Sequence, residues 1–505
     1  MPPAPPKLDL ARLLPPDAAV PGEAQRRLVD YLSGLPPAAA ARVASVIETA
    51  RATGEDGLPY SVILDSLRPH LRLVRPKRLP TLQRLAAEGF EPFLTHEEGG
   101  PKRRGLIPRR LIQPWWALVT GEAANHLLML EAVLTAAVKA EDWAQLDEIG
   151  QRARTVAAEG TRRLLARLAG QSAEARAAAL RLGGLDRLEE LEEIGAILAV
   201  AEPLRAALAT VSAVAAREQG YEAGPLTPIA EFSPQAVTTA KALYHRLGEE
   251  LGPAVEWFAL GLLGRLSKPW QILRLARALG WRMDEALPQH AGIASAAERL
   301  LADAEALVQQ ATRLALRGAA PLPPEQRLGM AAGLVAAFAA HVAGTADEAQ
   351  IPKDSPWAAR IGDLRRRLTE PVDTLLAEAE GLILAAVPQA RIGMSNGRPQ
   401  FGPALDAVPS PEAAAAARAG AGLIRAVLAH GERHGLAAAA RRHLAEIEAE
   451  TDRRAEALFD ALRKSPGAAP PLAQLAVLCD VADALLPRDR AEVLRRRARS
   501  HGLTA

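Results

Sequence analysis

The run Leu185-Asp-Arg-Leu-Glu-Glu-Leu-Glu-Glu-Ile-Gly-Ala-Ile-Leu-Ala-Val-Ala-Glu-Pro-Leu-Arg-Ala-Ala-Leu-Ala-Thr-Val211 decides the fold class. Leu185, Leu188, Leu191, Ile194, Leu198, Leu204, Leu208 and Val211 recur at three- and four-residue steps, the spacing of one apolar helix face. Glu189, Glu190, Glu192 and Glu193 fall away from that stripe, so the acid doublets are expected to be a solvated face. Pro203 has no amide hydrogen to donate and is expected to kink the helix.

Outward from this run the same periodicity dominates. Helices are expected at about 122–140, 142–168, 172–182, 233–250, 254–266, 269–280, 292–317, 324–345, 356–387, 411–434, 436–463, 470–485 and 488–499. Ser410-Pro411-Glu412 is a start signal: an N-cap serine, proline at the first helical position, then an acid for the positive helix end. Strand patterns are nearly absent. The expected fold is therefore all-α, a multi-helix array or set of bundles with almost no β structure. A small, Pro-rich and mostly helical N-terminal module precedes it.

Of 505 residues, 49% are hydrophobic but only 4% aromatic, and much of the apolar content is alanine. Alanine favours helix yet buries little surface, so such a core requires many close helix–helix contacts. The net charge of +2 gives little pull towards an anionic partner. Arginine greatly outnumbers lysine, a bias that a GC-rich genome produces as readily as function. The single cysteine, Cys479, excludes an intramolecular disulfide and fits a reducing compartment, and its apolar helical setting predicts a buried, inert thiol. The opening Met-Pro-Pro-Ala-Pro-Pro-Lys lacks the pattern of a signal peptide. Leu328–Ala346 carries no charge but is mostly Ala and Gly, so it is expected to be a buried helix rather than a membrane span. The expected location is cytoplasmic.

Composition divides the chain into a Pro-rich leader (1–20), a basic module (21–120), a helical body (121–387), a Gly/Pro-rich loop (388–410) and a C-terminal helical segment (411–505). In the module, short helices are expected around 23–35 and 37–52, the second with Val43, Val46 and Ile47 on one face. Within the loop, Asn396-Gly397 suits a hairpin turn between Ile392–Met394 and Arg398–Phe401. No repeat is found at a period of 34–45 residues. Pro114-Trp115, Pro269-Trp270 and Pro356-Trp357 nevertheless each open a helix, with an indole placed to pack across its start.

Candidate binding residues concentrate in the module. Arg68, Arg72, Arg75, Lys77, Arg78 and Arg84 form one acid-free block; Lys102, Arg103, Arg104, Arg109 and Arg110 form another, just before Trp115 and Trp116. Between them lies the acidic stretch Glu88–Glu98, which is able to neutralise them internally. Lys102, Arg103, Arg104, Arg109, Arg110, Arg72, Arg75, Lys77 and Arg78 are the residues expected to meet the acidic surface of a partner. At least one of the adjacent tryptophans must be core, because neighbouring positions on a helix cannot face the same way.

Catalytic motifs are weak. Gly393-Met-Ser-Asn-Gly397, with Asp406 and His430 following, matches the nucleophile-elbow pattern, but Arg398-Pro399 prevents the helix that must follow the serine. His430 and His434 have ligand spacing without an obvious third ligand. No nucleotide, metal or cofactor motif is present, so no catalytic residue, metal or cofactor is expected. The expected function is a non-catalytic helical scaffold or adaptor binding another protein. The alternatives are a nucleic-acid-associated protein using residues 66–121, or an enzyme whose site is assembled from distant helices. Oligomeric state is not legible.

Overall fold

The computed structural model describes residues 80–96, 102–140, 142–169, 172–183, 187–220, 227–281, 291–316, 322–395 and 398–503, with scattered positions between Leu28 and Leu67. The Pro-rich leader, the block Arg72, Arg75, Lys77 and Arg78, and Asn396-Gly397 lie outside the described residues. Two compact units are present: Met1–Arg84 with Glu131–Leu146, and Leu85–Leu130 with Asp147–Ala505. In the first, Ile47 is fully buried and clusters with Leu32, Ala44, Ile63 and Leu67, with Val43 packed alongside.

The described helices are α1 (Leu82–Ala87), α2 (Ile112–Ala140), α3 (Trp143–Leu168), α4 (Ser172–Leu182), α5 (Leu188–Ala199), α6 (Ala201–Glu218), α7 (Pro234–Leu251), α8 (Glu256–Arg265) and α9 (Ile272–Ala278). They continue as α10 (Ala291–Ala315), α11 (Pro324–Ala349), α12 (Pro356–Ala385), α13 (Pro411–His430), α14 (Ala437–Lys464), α15 (Ala469–Leu485) and α16 (Arg488–Ser500). The all-α expectation holds. Local chemistry sets several starts: the hydroxyls of Ser233, Ser355 and Ser410 accept the amides of Ala236, Ala358 and Ala413 at 3.2, 3.2 and 3.1 Å, each beside a first-turn proline.

The run 185–211, expected as one kinked helix, falls in two helices, α5 and α6, meeting at 75°. The break falls at Val200 (φ −120°, ψ 16°) rather than at Pro203 itself. A proline ring clashes with the carbonyl four residues earlier, here Ala199, so the helix must end there. The acid doublets are not a uniform solvated face either: Glu190 and Glu193 are buried, while Glu189 and Glu192 are exposed.

From α6 onward, each helix packs on the next but one. One layer runs α6, α8, α10, α12, α14, and the other α7, α9, α11, α13, α15. Successive helices also pack across the layers, as α10 on α11 and α12 on α13. Cross-layer approach is close because the facing residues are small: Ala416, Ala417, Gly420 and Ala421 of α13 are buried, with Ala379 of α12 opposite Gly420. Within layers the helices are tied by ion pairs. Arg360 grips Glu298 at 2.7 and 2.9 Å, and Arg367 reaches Glu305 at 2.9 Å, each 62 residues apart. Arg418 and Asp480 repeat that 62-residue offset between α13 and α15. The two-helix unit is thus longer than the 34–45-residue periods at which no repeat is visible.

Among the described residues, β structure is limited to two small sheets and an isolated parallel bridge between Ile229 and Leu266. β1 (Leu94–Thr95) pairs parallel with β2 (Ile107–Pro108). β3 (Gln389–Ser395) and β4 (Arg398–Pro403) form the antiparallel hairpin expected in the Gly/Pro-rich loop, closed by Ser395 opposite Arg398. Among the described residues, two stretches are long and apolar enough to cross a membrane, Arg109–Ala140 and Pro324–Ala349. The second of these, α11, is packed against α9, α10, α12 and α13.

Candidate functional site

The second basic block is a strap fastened to the helical array. Lys102 donates to Glu193 of α5 at 2.7 Å and to the Leu106 carbonyl at 2.9 Å. Arg104 reaches Glu193 at 3.4 Å and Glu256 of α8 at 2.5 Å, and lies 4.6 Å over the Trp257 ring. Arg103 binds Asp303 of α10 at 2.6 Å, which Arg299 also holds at 2.7 Å; Arg299 in turn donates to the Arg104 carbonyl at 3.0 Å. The Gly105 amide completes the set on Glu193 at 3.3 Å. Glu193 is buried because it is the hub of this network. Four of the charged candidates therefore already have acids of the same chain: Lys102, Arg103, Arg104 and Arg109, the last on Glu91 of the acidic insert. Arg110 is exposed.

Beside the strap, Trp115 is fully buried, donates to Thr161 at 3.1 Å and meets Phe90 edge-on at 5.1 Å. It pins the turn Glu88–Phe93 onto α3, while Trp116 stays half-buried. The same turn sits on α8 so closely that a β-carbon at Gly264 would lie 2.0 Å from the Pro92 carbonyl oxygen. The indoles of the other Pro-Trp pairs are also engaged. Trp357 is buried against Trp281, and Trp270 lies edge-on to His341 against Gly344.

A second group of arginines surrounds the Glu88–Phe93 turn. Arg154 of α3 is held by Glu202 and donates to the Leu85 carbonyl at 3.5 Å. Arg205 of α6 stands 3.9 Å from Glu88. Arg265, the last residue of α8, is 7% exposed, and burial lowers its pKa to about 10 despite the pull of Glu91; the neighbouring Arg205 lowers it further. Burial and then Arg154 likewise lower that of Arg205. Sequence reasoning passed over both residues, although Arg265 is the only charge between Trp257 and Ser267.

The two histidines at ligand spacing are not brought together as a site. His430 ends α13 at the surface, whereas His434 is buried edge-on to Phe338, 5.6 Å between ring centroids. Burial, with Arg365 next in effect, brings the His434 pKa down to about 4. His443 contacts Glu380 at 2.5 Å. Among the described residues no group of three or more His, Cys, Asp or Glu is placed to hold a metal. Ser395 closes a hairpin and is followed by a strand, not by the helix an elbow needs. Cys479 is buried in the core between α14, α15 and α16, which raises its thiol pKa to about 11.

Leu128 and Met129 of α2, 74 and 71% exposed, form one exposed apolar surface, and the hairpin is another. Gln474 of α15 fixes its base by donating to the carbonyls of Ala404 and Ala407 at 2.6 and 2.7 Å. Beyond that base Ile392, Met394 and Phe401 are 67, 55 and 53% exposed, and Leu405 and Val408 follow in water. Six of the seven phenylalanines are buried; Phe401 is the exception. The Asn396-Gly397 dipeptide pointed to the hairpin, but nothing in it said that both faces would be left in solvent. The chain matches no protein-family model, no curated protein and no solved structure.

Proposed function

We propose that the chain is a non-catalytic helical scaffold or adaptor that binds another protein, in the reducing setting of the cytoplasm. The observation that carries this reading is the anchored hairpin with Ile392, Met394 and Phe401 held in water. Exposed apolar side chains held on a fixed element mark association surfaces. Each strand of a two-stranded sheet also keeps an open edge, onto which an extended partner segment can pair. The two-layer array supports the reading by supplying a multi-helix frame. The internal ion pairs of Lys102, Arg103, Arg104 and Arg109 move the expected contact away from the basic segment and towards the hairpin.

Photocrosslinking from position 401 of the full-length chain in native cells tests this. The expected result is one defined protein whose purified form binds the chain, at least tenfold more weakly after Ile392→Ser and Phe401→Ser together. Binding unchanged by those substitutions, or recovery of nucleic acid alone, contradicts the reading.

A further inference from the structure

Around the Glu88–Phe93 turn the chain buries more positive charge than it pairs. Nη1 of Arg265 is buried with no hydrogen-bond partner, and so is Nη1 of Arg205. Glu88, at 3.9 Å from Arg205, is too far for a hydrogen bond. Arg109 meets Glu91 through Nη2 but leaves Nε buried and unmatched. Of the other charges nearby, Glu202 is held by Arg154, and Asp147 reaches Arg205 only through space. A guanidinium does not give up its proton at neutral pH, so this deficit cannot be relieved by titration. The unmatched nitrogens are open to an acceptor from outside the chain.

We propose that Arg205 and Arg265, with Arg109 at the rim, bind a phosphate-type oxyanion beside the Glu88–Phe93 turn. The unmatched donors come from separate elements: α6, α8 and the 3-10 turn Arg109–Leu111. One guanidinium fork satisfies a planar carboxylate, whereas donors arriving from several directions suit the many acceptor positions of a tetrahedral dianion. Entry is from the side of Arg109 and Arg205, whose side chains are 36% and 24% exposed. Gly264 keeps the turn seated directly beside Arg265, so the site is built by the fold. This site is separate from the hairpin and stands whether or not the hairpin binds a protein.

The test is thermal unfolding of the full chain titrated with inorganic phosphate, with sodium chloride and sodium acetate at matched ionic strength as controls. Phosphate is expected to raise Tm saturably by a few degrees at millimolar concentration, the behaviour of a ligand that binds only the folded state. Chloride and acetate are expected not to. Arg265→Met and Arg205→Gln should each abolish the saturable rise, and the partly exposed Arg205 position carries the test alone if Arg265→Met does not fold. The same titration with AMP distinguishes sources: half-saturation at lower concentration than phosphate assigns the oxyanion to a nucleotide, and equal or weaker saturation to free phosphate. An absent rise, a rise matched by acetate or chloride, or one retained in both variants overturns the proposal.

Discussion

The strap 102–104 and the pair Arg205/Arg265 are both arginine sites against the same helix, α8, yet they differ in what surrounds the charge. The strap is conspicuous in the sequence, and each of its cations meets an acid on another element. Arg265 is isolated in an apolar run, Arg205 is the only charge between Glu202 and Arg217, and each keeps a buried nitrogen without a partner. Charge density along a sequence therefore says little about which charge is available. Availability depends on burial and on whether an acid arrives from elsewhere in the fold.

The contrast is broken most severely by taking away the strap's acid. Glu193→Ala strands Lys102 and the Gly105 amide, and should cost about 3 kcal/mol in urea unfolding, the range for a buried pair that loses one partner. Arg265→Met, which removes an unmatched charge while keeping apolar volume, should be neutral or stabilising in phosphate-free buffer. A loss as large as that of Glu193→Ala would show that Arg265 is paired after all.

His434 sharpens the comparison, because it also faces a cation, Arg365, but is able to stay neutral. Its pKa falls from 6.5 to about 4 on folding, so between those values unfolding takes up a proton. Stability from this group is complete above pH 6.5 and declines as pH falls to about 4, by up to ~3 kcal/mol. Urea midpoints compared at pH 7 and pH 5 should show the decline, and His434→Leu should flatten it. Weaker again is the loss of one helix cap: Ser410→Ala should cost about 1 kcal/mol. Smallest is Arg360→Ala, which breaks an exposed pair with Glu298 and should cost under about 1 kcal/mol in the same assay.

Much of the fold was legible because its signals are local. Ser410-Pro411 caps α13, Asn396-Gly397 lies between β3 and β4, and Pro203 ends α5 four residues upstream. The two-layer order was not legible, since it rests on alanine and glycine faces that follow no fixed period. The strap's role was hidden for a different reason: Glu193 and Asp303 lie 91 and 200 residues from their partners. Burial of Glu190 and Glu193 ran against the expectation for acid doublets, because Arg187 and the strap supply cations to them within the packed structure. Exposure of Phe401 depends on how far the hairpin projects from the helices beneath it, which no local pattern encodes.

The claim that the strap's charges serve the chain itself is tested most directly by a double-mutant cycle. Lys102→Met and Glu193→Gln, made singly and together in the full chain, are to be compared by equilibrium urea unfolding. A coupling of about 1 kcal/mol or more between them is expected for a direct, largely buried pair. Additivity within about 0.3 kcal/mol would contradict it and return Lys102 to the surface available to a partner.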